Sequence, residues 1–379
     1  MQIILSVAII VVLLTSLVLL IRWPTLRFVG SMPTKMFAFI AILFTSGLDV
    51  GLIMFPLTEF PVYETEPVYG FASPLAIEFG FWGFLIWLFY FLTTFYFCVV
   101  EPRLKIFEIP WVKFLNNVVI IGTCAFTGYL FLTYIPSYID GISDLAKFSL
   151  VAFVVLCAVL SSTHVRYVKI LSISSTWLFF ALIAAMWFAG DMGLTGFTTT
   201  AAELSEYFTN IHEFVLPMSD YHAFYLFWWF AWSIMIGQFV ARFVGALNTW
   251  QLFLALLILP SIPIGTWFSV LYYYHSNAIE ISAVLNTSMI VVGVVFVINS
   301  LDSLTRLYTD NLGLTVDRLG ILKYIAVHWV LLYSLILMYQ FTPLKIEWVG
   351  LLVIGLYACV YFLMFNRRKN LLNKSRYKG

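Results

Sequence analysis

Long apolar runs separated by short polar stretches dominate the chain. A membrane-crossing helix needs roughly 20 mostly apolar residues, because the hydrocarbon core is about 30 Å thick and a helix rises 1.5 Å per residue. Runs of that kind lie near 2–22, 36–57, 75–100, 113–137, 147–163, 174–190, 221–244, 250–274, 281–307, 321–341 and 346–366. They predict an all-α polytopic membrane protein with about 11 transmembrane helices. The widest polar interruption is 191–220. Within it Leu204, Phe208, Ile211 and Val215 recur at helical spacing and predict a surface-lying amphipathic helix over 200–216. Five spans fall in 36–190 and five in 221–366. An odd number per unit makes the two units cross the membrane in opposite senses. That is the 5+5 arrangement of inverted-repeat transporters, whose binding sites form near the midplane where helices break. Count alone leaves the repeat open.

Charge placement gives an independent check. With the C-terminus cytoplasmic, eleven spans put Met1 outside. The cytoplasmic side then holds all but Lys147 and Lys345 of the 20 Lys and Arg residues, the tail 367–379 included. The positive-inside rule expects this bias, and one span missed mid-chain would scramble it. Composition agrees: 62% of residues are hydrophobic and 10% charged, against roughly half and a quarter in soluble domains. A net charge of +1 gives no argument for nucleic acid. The four cysteines sit inside predicted spans at unrelated spacings, so neither disulfides nor a metal site is expected. Residues 1–22 lack a basic leading region and a small-residue cleavage site before Trp23, which predicts a retained helix.

Four constellations carry candidate chemistry. In GLDVGLIMF, Gly47 and Gly51 either let helices pack closely or free backbone carbonyls for a ligand. Asp49 lies between them, and a carboxylate at mid-membrane depth costs about 2.5–3.5 kcal/mol on insertion scales, so it needs a cavity or a partner. Trp82, Trp87 and Tyr90 would occupy an arc of roughly 140° on one helix. Trp228, Trp229 and Trp232 cluster in the seventh span. Tryptophans in membrane proteins commonly anchor at the interface. These lie five or more residues inside their predicted spans and suggest an aromatic cage for a quaternary ammonium. Finally, FVINSLDS places Phe296, Asn299, Ser300 and Asp302 together, either as an ion site or as an interhelical hydrogen-bond set. Glu78 is expected near the outer interface. No phosphate loop, nucleophile elbow or zinc signature occurs, so an enzyme is not expected.

FYLFWWFAWSIMIGQFVARF, residues 224–243, resembles the signature helix of the betaine/choline/carnitine transporter family. GLDVGLIMF with the following Glu59, WGFLIWLFY (82–90), RYVKILS (166–172), PSIPIGTWFS (260–269) and FVINSLDS resemble other family segments in order, over about 36–366. The resemblance implies a LeuT-like fold with one preceding helix, 1–22, where the family usually has two. It implies a substrate site of Trp82, Trp87, Tyr90, Trp229 and Trp232 with Trp228 close by, and a homotrimer by analogy. It also implies a sodium site near the break at Leu48, to which Phe296 and Ser300 conform while Asn299 replaces the family's threonine. Asp49 replaces a family glycine. In this family an acidic residue near that position accompanies proton coupling or choline-type cations. The expectation is therefore an ion-coupled carrier of choline, glycine betaine or carnitine in the cell membrane, without a cofactor and with H+ slightly favoured over Na+. The alternatives are a carrier of another small solute such as an amino acid, or a non-transporting receptor or assembly subunit.

Overall fold

The computed structural model describes residues 1–48 and 51–367. Among these, ten helical segments are long and apolar enough to cross a membrane. The chain runs α1 (Gln2–Arg22), α2 (Met36–Gly47), α3 (Gly51–Met54), α4 (Pro56–Thr65), α5 (Pro74–Trp82), α6 (Trp87–Phe95), α7 (Glu101–Leu104), α8 (Pro110–Tyr134), α9 (Asp144–Ser161) and α10 (Val165–Ala189). It continues through α11 (Leu194–Ala202), α12 (Ser205–Thr209), α13 (Asp220–Val240), α14 (Thr249–Leu257), α15 (Ser261–Ser276), α16 (Ala283–Leu312), α17 (Val316–Leu319), α18 (Ile321–Phe341) and α19 (Ile346–Asn366). The eleventh expected crossing, 36–57, is broken into α2, α3 and α4.

The second interruption, between α3 and α4, has a local cause. Proline has no N–H, so Pro56 leaves the Leu52 carbonyl without its helical partner. The Trp267 indole of α15 donates to that carbonyl at 2.8 Å, and the Tyr138 hydroxyl donates to the Met54 carbonyl at 2.6 Å. No water reaches such depth, so freed carbonyls persist only where other side chains satisfy them.

Helix packing follows an exchange rule. Let α2–α4 correspond to α13, α5–α6 to α14–α15, α8 to α16, α9 to α18 and α10 to α19. The pair α2·α10 then maps onto α13·α19, α8·α19 onto α16·α10, α8·α18 onto α16·α9, and α2·α16 onto α13·α8; all eight pairs are in contact. The self-corresponding pairs α2·α13, α8·α16 and α9·α18 also touch, as pairs on a pseudo-two-fold axis must. One symmetry is incomplete. α13 runs unbroken for 21 residues, whereas its counterpart α2–α4 is interrupted.

Three expectations need correction. The sixth crossing starts at Val165, nine residues before 174, so Arg166 and Lys169 lie on its first turns and not in a loop. No helix covers 200–216. The connector forms α11 and α12, and within 200–216 its buried side chains are Thr200, Tyr207 and Phe214, whereas Phe208 is 51% exposed. The expected stripe was one residue out of phase because aromatic contacts beneath the connector, not a lipid surface, select the buried side. Glu78 is not interfacial; it is fully buried. The outer surface is apolar, with Ile3, Phe188 and Leu322 each at least 80% exposed, as lipid contact requires.

Candidate functional site

The two tryptophan groups meet in the core. α5 starts at the Ser73 cap with Pro74 in its first turn and ends at Trp82, because Gly83 turns extended (φ −109°, ψ 171°). Phe84 follows at φ +45°, strained for a residue with a Cβ. Neighbours hold it: the Phe84 N–H donates to Ser261 Oγ at 2.9 Å and the Leu85 N–H to the Tyr207 hydroxyl at 3.3 Å. Burial raises the Tyr207 phenol above its ordinary range, so it stays neutral. The expectation of one continuous helix through Trp82, Trp87 and Tyr90 therefore fails. The break instead frees the Trp82 carbonyl, to which the Trp87 indole donates at 3.2 Å.

On the facing helix, the Trp229 indole donates to the Phe81 carbonyl at 2.8 Å and ties α13 to the end of α5. Trp82 meets Trp229 edge-to-face at 5.2 Å and Trp228 at 5.4 Å, while Trp228 and Trp229 lie parallel at 5.1 Å. Tyr90 reaches Trp229 at 6.3 Å and Trp87 at 5.0 Å, and Phe55, just past the helix break, reaches Trp82 at 5.9 Å and Trp228 at 6.1 Å. Trp232 is buried one turn further along α13 and joins none of these ring pairs. Centroids 5.2 Å apart are in contact, whereas a cation binds a ring face within about 6 Å of each centroid. This conformation is closed, and a guest enters only if α5 and α13 separate.

The second grouping lies at the break. Leu48, extended (φ −128°, ψ 151°) and buried, presents its carbonyl to Ser300 Oγ of α16 at 2.9 Å; the Thr45 carbonyl is 3.4 Å from the same oxygen. Asn299 Oδ1 accepts from Ser172 Oγ at 3.0 Å, and its Nδ2 is buried without a partner. Phe296 contributes a ring packed on Phe44 and Phe179. Gly47 ends α2 and Gly51 opens α3. Asp49 lies outside the described residues. These oxygens could hold Na+; Ser161 Oγ on Asp302 at 2.5 Å and Ser46 Oγ against Ser303 Oγ at 2.9 Å continue the polar seam.

Sequence reasoning missed a third grouping. Glu59 is 5% exposed and Glu78 fully buried. The Tyr63 hydroxyl lies 3.1 Å from Glu59 Oε2 and 2.8 Å from Glu78 Oε2, and Tyr134 donates to Glu59 Oε1 at 3.2 Å. The Tyr134 ring stacks on Phe55 at 3.8 Å, which links this pair to the tryptophans. Two glutamates 19 residues apart carry no spacing signal; Tyr63, one turn from Glu59, was the available hint.

Both ends of the site are covered. On one face Phe214 of the connector fills the space over Gly80, where an added Cβ would come within 2.1 Å of its ring, and Tyr69 pairs with Ser219 at 2.8 Å. On the opposite face the segment before α2 is laced to the end of α13. Arg27–Phe28 pairs antiparallel with Leu247–Asn248, and the N–H groups of Gly30, Met32 and Thr34 donate to the carbonyls of Val244, Arg242 and Phe243. Arg242 also pairs with Asp310 at 2.9 Å.

Fold and surface define a polytopic membrane protein of the LeuT-like class. Among solved structures the chain is similar to a Na+-coupled sialic acid symporter in a substrate-bound outward-open state, with TM-score 0.53 and 15% identity over 93% of this chain and 84% of that one. That likeness concerns the fold. No family model matches the chain, and no curated protein matches it in sequence.

Proposed function

We propose that the chain is a secondary transporter of a quaternary ammonium compound of the choline, glycine betaine or carnitine type, working by alternating access. One observation carries the reading: indoles from α5 and α13, on opposite repeats, converge in a water-excluded core. A quaternary ammonium donates no hydrogen bond but is attracted to ring faces, by roughly 0.5–2 kcal/mol per desolvated ring. Substrate would displace Trp82 from Trp228 and Trp229, and the two covered faces would open in turn. The motif resemblance over 224–243 and 82–90 supports the same cargo.

For the coupling ion, the carbonyls of Leu48 and Thr45 with Ser300 favour Na+, and the neighbour in fold is a Na+-coupled symporter. This reverses the preference for H+ that Asp49 suggested. In the cell membrane, the basic-residue asymmetry supports Met1 outside, a cytoplasmic tail and the connector 191–220 external. The repeats would span 36–190 and 221–366.

The test is uptake of radiolabelled choline and betaine into proteoliposomes, with Na+ and H+ gradients imposed separately. Accumulation of either compound driven by inward Na+ supports the proposal. Flux of amino acids unaffected by choline and betaine would give the site to another small solute, and absence of any flux would favour a non-transporting subunit.

A further inference from the structure

The tryptophan cluster does not distinguish a cationic ammonium from a zwitterionic one, since betaine and choline carry the same trimethylammonium head. The electrostatics beside it do. Glu59 and Glu78 converge on one phenol, and Tyr63 has a single hydrogen for two carboxyl groups. No Lys, Arg or His forms an ion pair with either among the described residues. Buried carboxylates without a positive partner are costly, and inside a membrane protein they mark a route for charge.

Two further atoms point to what supplies that partner. Glu78 Oε1 and the Tyr225 hydroxyl are buried without a partner at hydrogen-bonding distance, both residues are fully buried, and the Trp82 indole is a further neighbour of the Glu78 carboxyl. Glu78 lies one turn before Trp82 on α5, which puts both on the same helix side. The Tyr225 ring meets Trp82 at 5.8 Å. Two buried carboxyl groups without a cationic partner and an unpaired hydroxyl thus border the indole that would face the ammonium.

We propose that the cargo is a net-positive quaternary ammonium bearing a hydroxyl group, an amino-alcohol of the choline type, with Glu78 and Glu59 as its countercharge. Its methyl groups rest on the indoles. Its hydroxyl donates to Glu78 Oε1, with Tyr225 as second partner. A betaine or carnitine carboxylate brought to the same place meets two carboxylates and is repelled. The inference rests on the ammonium reading above and narrows it.

The test is equilibrium binding to purified wild-type protein in detergent, read by tryptophan fluorescence and by displacement of radiolabelled choline. The probes are choline, tetramethylammonium, glycine betaine and carnitine. The expected order is choline, then tetramethylammonium, with betaine and carnitine weakest. Removing one partner of a buried, hydrogen-bonded charge pair costs enough that Glu78→Gln should weaken choline at least about thirtyfold. The same variant should leave betaine no weaker. Glu59→Gln should act in the same direction, and Tyr225→Phe should shrink choline's advantage over tetramethylammonium. If Glu78→Gln does not fold, the wild-type order and Glu59→Gln decide. Betaine binding as well as choline, or both Glu variants weakening every ligand alike, would overturn the inference and leave the ammonium reading standing. Failure of all four probes to bind would remove both.

Discussion

Gly237 of α13 packs directly against Thr93 of α6. A Cβ built there falls 2.2 Å from Thr93 Oγ1, 2.4 Å from Thr93 Cβ and 2.8 Å from the Thr93 carbonyl carbon. The Thr93 hydroxyl lies 2.7 Å from the Ser233 carbonyl and joins the two helices. Gly237→Ala must therefore push α6 and α13 apart. Overpacking of this kind costs about 1–3 kcal/mol, and loss of the Thr93–Ser233 bond adds about 0.5–1.5 kcal/mol. The sum is roughly 1.5–4.5 kcal/mol. α6 carries Trp87 and Tyr90 while α13 carries Trp228 and Trp229, so the same change should weaken choline binding. Thermal unfolding of the purified variant in detergent, with choline binding measured in parallel, reads both effects. Thr93→Ala should not rescue Gly237→Ala, because the clash includes the Thr93 Cβ and backbone. A variant as stable as wild type with unchanged binding, or full rescue by Thr93→Ala, would refute the packing argument.

Further substitutions probe other parts. Trp82→Leu and Trp229→Leu should each weaken choline about two- to thirtyfold, one desolvated ring's share, with little loss of expression; an unchanged dissociation constant would remove that ring from the site. Ser300→Ala should raise the sodium concentration needed for half-maximal uptake while sodium-free choline binding stays near wild type; unchanged sodium dependence would clear the helix break of an ion role. Gly30→Ala places a Cβ 2.2 Å from the Ala241 carbonyl and should unseat the segment before α2, raising thiol labelling of a cysteine introduced on that face. Unaltered labelling would show that this lacing is not a gate. Arg242→Gln and Asp310→Asn should raise the same labelling, with the double variant no worse than either single one.

How much of this was legible in the sequence varied with the range of the interaction. The crossings, the paired aromatic groups and the interruption after Gly47 follow from hydropathy, residue type and local backbone preference, which act over a few residues. The aromatic positions had a visible pattern, yet the break between Trp82 and Trp87 did not: Gly83 permits it, but Ser261 and Tyr207, far along the chain, hold Phe84 in place. The connector was misread because the helical stripe through Leu204 and Phe208 matched a lipid-facing period, while Tyr207 and Phe214 were drawn inward by Phe79 and Phe81. Glu78 looked interfacial because hydropathy cannot register Tyr63 and Glu59 folding over it. α13 stays helical throughout, whereas its counterpart turns extended at Leu48.

A structure determined with choline bound tests the central claim most directly. The account predicts density for the trimethylammonium group between α5 and α13, with Trp82 and Trp229 moved out of their 5.2 Å contact so that each face lies within about 6 Å of the cation. Density elsewhere, with the two indoles still touching, would contradict it.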